Sequence, residues 1–370
     1  MEKDMAIRDK IDHYSLLCLS SVTGLGPYKV RILVERFGSP QRVLQSSPRE
    51  LVQIPGIDKI MAERIRKEAD HKFAKDQLQR LEKSRIKVVS FWDNDYPAGL
   101  KTLFDPPVLL FVHGELNPDT DQSIAIVGTR QATNYGRWVT EKFTRELVSH
   151  NYWITSGLAR GIDTIAHRQC LNCGGKTVAV LGSGLDRIYP AENTELSRHI
   201  SNQGAVVSEF PMGAGPDAPH FPRRNRIISA LSRAVLVIEA GEKSGALITT
   251  DFALEQGKDV FVVPGNINSP ASQGTNKLIQ EGAKLVLKVE DILDEIAPSC
   301  NGQQSLDLSE SVNVSPKEKQ LLSQMTSEPI HIDQLAELIK MEPFQIFPLL
   351  LSLELKHFVK QIPGKYFVRL

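Results

Sequence analysis

The sequence predicts a doubly wound α/β domain with a mainly parallel sheet, set between a helical front and a winged-helix tail. Three observations carry that expectation. From about Ile86 to Ile296, short β-branched runs that are nearly all apolar alternate with helix-length segments, the rhythm of strands covered on both faces. Up to about Leu81 the pattern is helical and broken by glycine turns, and from Pro316 three helical stretches lead into a terminal hairpin. At 370 residues, 41% hydrophobic and 24% charged, the chain is long enough for two or three domains and too apolar to be mostly disordered.

The front, residues 1–84, contains two similar turns. Val22-Thr23-Gly24-Leu25-Gly26 precedes Pro27 and a helical stretch to Phe37, and Ile54-Pro55-Gly56-Ile57-Asp58 precedes one over Lys59–Ala69. Both have the form of a helix-hairpin-helix turn, where a glycine exposes amides at a helix start that can hold a DNA phosphate without reading sequence. Asp58 would repel a phosphate, so the second copy is expected to be structural. Through Ser90 the chain has 18 Lys/Arg against 12 Asp/Glu, a net of +6 that favours DNA contact. A small helical interaction module with ordinary turns is the alternative.

The middle block, residues 85–297, is expected to form strands over Ser123–Val127, Trp153–Thr155, Thr177–Leu181, Ala205–Ser208, Ala234–Ile238 and Val260–Val263, with Lys87–Phe91 and Val108–Val112 extending one edge. Helices are expected between them, as at Tyr135–Asn151 and Gly245–Gln256. In such a sheet the loops after the strands share one rim, where ligands bind. Three of these loops have the makings of anion sites: Gly128-Thr129-Arg130, Ser244-Gly245 at a helix start, and Pro264-Gly265-Asn266. Each glycine alone could simply make a tight turn; together on one rim they point to a phosphate-rich ligand.

The densest feature is FPRRNR, with Arg223, Arg224 and Arg226 inside four residues. If a helix opens at Asn225 and runs to Leu231, these cations crowd its positive end, an arrangement that an anionic ligand would offset. They could instead be solvated, or tied to Glu209 and Glu239.

Residues 298–315 are polar and poor in large apolar side chains, as expected of a flexible linker. In the tail, residues 316–370, Glu318–Met325, Ile332–Ile339 and Pro343–Lys356 are expected to be helices, with Phe358–Ile362 and Tyr366–Arg369 as a hairpin. A DNA-reading third helix would carry bases and amides toward the groove. Here it has one Gln and no base before Lys356, and Pro348 should kink it or delay its start. A protein-binding or regulatory tail follows more readily.

Several classes are disfavoured. Lys+Arg and Asp+Glu are both 44, which excludes a uniformly basic nucleic-acid binder. No apolar run approaches the ~18–20 residues of a membrane span, and MEKDMAIRDK lacks an apolar signal core. Four cysteines, Cys18, Cys170, Cys173 and Cys300, are too sparse for a disulfide framework. A cytoplasmic protein without a membrane partner is expected. LGSGLDR has Arg187 where a dinucleotide fingerprint needs its third glycine, and no P-loop sequence exists. The lone Cys170–Cys173 pair, with His167 a turn earlier, lacks the four ligands of structural zinc. No metal or cofactor is expected. Asp163 and His167, four apart on a helix, could be a base with its orienter or a local structural pair; the second is favoured.

Together, IAIVGTR, SGLARGIDTIAH, GGKTVAVLGSGLDRIYPAEN, GAVVSEFPMG, HFPRRNRIISALS, EAGEKSGALITTDFALEQGKDVFVVPG and SQGTNKLIQEGAKLV, in this order from Ile124 to Val286, resemble the DNA-processing protein A (DprA/Smf) family. DNDYPAGLKTLFDPPVLLFVHG upstream also fits. The resemblance implies an extended Rossmann-like core that binds single-stranded DNA, dimerises, and brings RecA recombinase onto strands covered by single-strand-binding protein, protecting incoming DNA in natural transformation. It implies no catalytic residue. Carried over by motif, the DNA contacts fall on Gly128, Thr129, Arg130, Arg223, Arg224, Asn225, Arg226, Lys243, Ser244, Gly245 and Asn266. Self-association falls on Asn276, Leu278 and Ile279. Two departures stand out: Ala191 after Pro190 and Ala218 before Pro219-His220, where some relatives have a base. Phe210 and Phe221 are the candidate stacking rings. The competing expectation is a Rossmann-like nucleotide hydrolase, with Glu239, Glu255 or the Asp163/His167 pair at the same rim.

Overall fold

The protein is seen as a computed structural model that describes residues 11–116, 119–296, 316–325, 330–339, 341–355, 358–362 and 366–369. The expected linker and Cys300 lie outside these residues. The chain divides into two compact units, residues 1–296 and 297–370.

In the first unit, α1 (His13–Ser20), α2 (Pro27–Phe37), α3 (Pro40–Gln45), α4 (Pro48–Leu51), α5 (Lys59–Glu68) and α6 (His71–Lys83) form the front. The first glycine turn enters α2 at Gly26, which offers no side-chain cap. The second enters α5 at Asp58, whose carboxylate accepts from the Met61 amide at 2.7 Å. That carboxylate takes an amide a phosphate would need, which is why the two turns differ. The front is joined to the sheet by Gln77 on α6, buried, whose amide donates to Met212 O at 3.0 Å and accepts from Met212 N at 2.8 Å.

The sheet follows: β1 (Lys87–Ser90), α7 (Ala98–Lys101), β2 (Leu109–Gly114), β3 (Ser123–Val127), α8 (Asn134–Ser149), β4 (Trp153–Ser156), α9 (Ile162–Asn172), β5 (Thr177–Leu181), α10 (Thr194–Gln203), β6 (Ala205–Ser208), α11 (His220–Ala230), β7 (Ala234–Val237), α12 (Gly245–Glu255), β8 (Asp259–Val262), α13 (Gln273–Gln280), β9 (Lys284–Leu285) and α14 (Glu290–Ile296). Nine strands run in the order β1-β2-β6-β5-β4-β3-β7-β8-β9. Pairings from β6 through β9 are parallel, and β1 and β2 add an antiparallel edge. The apolar strands are explained by their two covered faces. Ile124, Ile126, Ala234 and Leu236 pack with Val139, Phe143 and Ile162, while Ala125, Val127, Val235 and Val237 pack with Ile227, Ile228 and Ala253.

Two details depart from expectation. β9, two residues long, gave no apolar run to detect. Helix α11 begins at His220, five residues before Asn225, so Arg223, Arg224 and Arg226 lie on its body and not at its first amides.

The second unit has α15 (Pro316–Ser323), β10 (Ile330–His331), α16 (Ile332–Ile339), α17 (Pro343–Leu355), β11 (Val359–Ile362) and β12 (Tyr366–Arg369), with strand order β10-β12-β11. Leu321, Leu335, Ile346, Leu350, Leu353, Val359 and Phe367 form its core. Helix α17 runs through Pro348, although proline removes one of its backbone bonds. Phe347 and Leu351, four apart on α17, are 46% and 49% exposed.

Candidate functional site

From β3 the chain steps to β4, β5 and β6 on one side, and from β7 to β8 and β9 on the other. The reversal leaves a crevice beyond the carboxyl ends of β3 and β7, the place where open α/β sheets bind ligands. A cleft of about 810 Å³ lies there. The loop after β3 gives it Gly128, Thr129, Arg130 and Gln131, α11 gives Phe221, Arg224, Asn225 and Ile228, and the turn into α12 gives Lys243, Ser244 and Gly245.

The loop after β3 is fixed from beneath. Thr129 N donates to Glu239 O at 2.7 Å. A Cβ at Gly128 would come within 2.6 Å of the Ile162 side chain and 2.9 Å of Glu239 O, so only glycine lets this backbone pass. Arg130 is exposed, with its guanidinium 5.6 Å from the Phe221 ring centroid. Lys243 is also exposed. Among the described residues, no carboxylate forms an ion pair with Arg130 or Lys243. Ser244 caps α12 by accepting from Ala246 N at 3.3 Å. A Cβ at Gly245 would meet nothing within 4 Å, so the open side of this helix start is clear for an anion. Asn225 reaches over from α11 and donates to Gly245 O at 3.2 Å.

Arg224 belongs to the floor. It is 5% exposed, and its Nη1 donates to both Gly157 O and Val180 O. Burial pulls its pKa down to about 10, against the pull of Asp163. Asp163 in turn accepts from the amides of Gly157 (3.1 Å) and Ala159 (3.3 Å). Asn193 Nδ2 donates to Leu158 O at 2.9 Å, and Thr164 donates to Ala159 O at 2.6 Å. Apart from the Arg224 bond to Val180 O, these bonds hold the turn 157–161, where Leu158 sits at φ 56°, a conformation that a leucine adopts only under constraint. A Cβ at Gly157 would collide with the Arg224 guanidinium at 2.2 Å. The SGLARGID segment is therefore a rigid cleft wall.

The structure does not bring every expected contact to this cleft. Arg223 and Arg226 both donate to Glu209 Oε2, at 2.9 and 2.5 Å, and Arg226 Nη1 donates to Asp105 O at 2.6 Å. Glu209, and not Glu239, is their partner, as the carboxylate alternative allowed. Asn266 is exposed outside the cleft, and its Oδ1 accepts from Asn268 N. Phe210 is buried and stacks on His220, while Phe221 lines the cleft. Of the two departures from the family motif, Ala218 lines the cleft and Ala191 does not. Sequence reasoning passed over Gln131, Pro216 and Thr249; only Gln131, next to Gly128-Thr129-Arg130, carried a signal.

The expected catalytic alternatives are committed to structure. His167 is buried, its Nδ1 2.7 Å from Thr177 Oγ1, which itself donates to Ile154 O. The imidazole is thus the donor, neutral, and burial holds its pKa down at about 3. Asp163 and His167 bond to different partners and not to each other. Glu239 accepts from Thr133 Oγ1 at 2.5 Å and Thr133 N at 3.0 Å, at the entry to α8. Glu255 lies at the far end of α12, off the cleft. Cys170 is buried and Cys173 exposed, and no His/Cys/Asp/Glu group suited to a metal occurs among the described residues. No described helix is long and apolar enough to cross a membrane.

On the expected self-association segment, Asn276 exchanges bonds with Gly265, donating to its O at 3.1 Å and accepting from its N at 3.2 Å. Leu278 and Ile279 are half-buried, and a groove of about 300 Å³ joins Leu278 to the 62%-exposed Leu254.

Comparison with known proteins agrees with this fold. The family model described as DNA recombination-mediator protein A matches residues 87–297, a DprA winged-helix model matches 309–365, and a SAM-like helix-hairpin-helix tandem matches 17–71. Protein Smf of Synechocystis is 32% identical over 95% of this chain and 98% of its own. Protein Smf of Escherichia coli is 41% identical over 73% of this chain and 74% of its own. Among solved structures, DNA processing protein A of Streptococcus pneumoniae superposes with a TM-score of 0.67 at 38% identity, covering 77% of this chain and 98% of that one. DNA processing protein A of Helicobacter pylori, described for its single-stranded DNA binding mode, gives 0.51 at 30%, covering 58% and 96%. The chain belongs to the DNA recombination-mediator protein A family.

Proposed function

We propose that this chain binds single-stranded DNA in the cleft at the switch of strand order and acts as a recombination mediator. It would cover incoming single strands and load RecA recombinase onto them, on DNA carrying single-strand-binding protein, during natural transformation. The observation that carries the reading is the pairing in one cleft of two exposed cations, Arg130 and Lys243, which have no carboxylate partner among the described residues, with the open helix start at Gly245. Phosphates would lie on the amides and cations, and a base would stack on Phe221. The H. pylori relative's described binding mode supports this reading. Self-association would use Leu278 and Ile279, extended by Leu254, with Asn276 holding the Gly265 turn in place behind them. The tail would meet a protein partner through Phe347 and Leu351. A nucleotide hydrolase at this rim finds no free acid or base in Asp163, His167 or Glu239.

The test is binding of a labelled single strand of about 20–40 nucleotides across a salt series, with duplex as competitor. Salt-sensitive binding that duplex does not displace is expected. No binding at low salt would overturn the reading.

A further inference from the structure

Phe104, in the loop between α7 and β2, is 91% exposed. A single exposed phenylalanine needs no explanation, but this one is held. Its ring lies parallel to Tyr28 on α2, with centroids 6.2 Å apart and planes 6° apart, and Tyr28 is itself 50% exposed. Arg31, three residues on along α2, donates to Phe104 O at 3.4 Å and stands 5.9 Å from the Tyr28 ring and 5.0 Å from Phe91. The Arg31 Nε is buried without a hydrogen-bond partner. The next carbonyl, Asp105 O, accepts from Arg226. Two guanidiniums thus fix the backbone at 104–105 and present a flat aromatic pair to solvent.

A second cleft of about 450 Å³ is lined by Pro27, the chain neighbour of Tyr28, but not by Tyr28 or Phe104 themselves. It shares α2 through Pro27 and Val30 and the same loop through Pro107, and it is closed by Phe210 and Arg223. Arg223 shares α11 with Phe221, Pro222 and Arg224 of the main cleft. Glu209, which also lines the second cleft, is compensated by Arg223 and Arg226, so it does not leave an uncompensated negative charge in the path of a phosphate.

We propose that Phe104 and Tyr28 form a second station for single-stranded DNA. A strand longer than the main cleft passes Arg223 and lays a base on Phe104, with Arg31 beside the stack. The occupant is a single strand because its unpaired bases offer free π-faces to the ring, and flanking cations favour its phosphates; duplex offers no such faces. The inference rests on the reading above and extends it to the helical front, giving the basic charge there a use.

The test compares strands of about 6 and about 20 nucleotides on the full chain. Phe104→Ala and Tyr28→Ala should each weaken the longer strand about 5- to 20-fold and leave the shorter unchanged, since one stacked base is lost. Phe104→Trp should restore the longer strand's affinity, which a merely structural role for Phe104 would not require. Unchanged affinity for the longer strand in both alanine variants overturns the inference, and leaves main-cleft binding standing if Arg130→Ala still weakens both lengths. Equal loss for both lengths also overturns it. Failure of the unaltered protein to bind either strand overturns the underlying reading instead.

Discussion

Helix α11 and the two loops beside it hold cations of the same kind and use them differently. On α11, Arg224 is buried against two carbonyls and Arg223 and Arg226 share Glu209. In the loops after β3 and β7, Arg130 and Lys243 are exposed and none of the described carboxylates is paired with them. The contrast teaches that a dense run of arginines need not be a set of free cations, because the fold can tie each of them to a partner of its own. Burying a guanidinium demands partners for its donors; the fold gives Arg224 two carbonyls and Arg226 both Glu209 and the Asp105 carbonyl, while the exposed Arg223 is held by Glu209 alone. Arg224 builds the cleft floor, while Arg223 and Arg226 are tied to Glu209 and do not line the cleft; on the proposed reading, the sparser loop cations are the ones left for DNA.

The largest way to break this contrast is Arg224→Met. It removes the clamp on Gly157 and Val180 and leaves Asp163 buried without its cation. The expected loss is about 3–5 kcal/mol in denaturant unfolding; a stability within about 0.5 kcal/mol of the unaltered protein would return Arg224 to the ligand. Glu209→Gln comes next. It should lower stability by about 2 kcal/mol, because two guanidiniums lose their counter-charge and keep only a neutral acceptor. It should also tighten single-strand binding a few-fold as Arg223 is released; weaker binding would mean that Arg223 acts only through the fold.

A third effect sharpens the account of the floor. His167 is neutral when folded, with its pKa near 3, and titrates near 6.5 when unfolded. Between those values the unfolded chain binds more protons, so stability falls as pH falls. From pH 7 to 5 the loss should be on the order of 2 kcal/mol. His167→Asn keeps a donor toward Thr177 and should flatten that slope; an unchanged slope would assign it to other groups.

The core strands were legible because being covered on both faces imposes apolar runs, and Ser123–Val127, Thr177–Leu181 and Ala205–Ser208 fall where those runs lie. The loop residues from Gly128 to Arg130 and from Lys243 to Gly245 were legible because a glycine after a strand leaves a trace in sequence. The start of α11 was not, since His-Phe-Pro does not announce a helix while Pro at its third position is tolerated there. Nor were the partners of the arginines, because Glu209 and Gly157 are brought to α11 only by the sheet. The Asp163–His167 spacing was read as a pair, yet the fold sends each to a different neighbour, and spacing alone carries no record of that.

The proposed function assigns the strand in the main cleft to the loop cations Arg130 and Lys243 and leaves Arg224 to the fold. The most direct measurement is the salt dependence of single-strand binding for Arg130→Ala beside the unaltered protein. The account predicts weaker binding to every sequence and a log–log salt slope shallower by about 0.7, the value of one lost phosphate contact, with unfolding stability unchanged. An identical affinity and slope in the two proteins would contradict it.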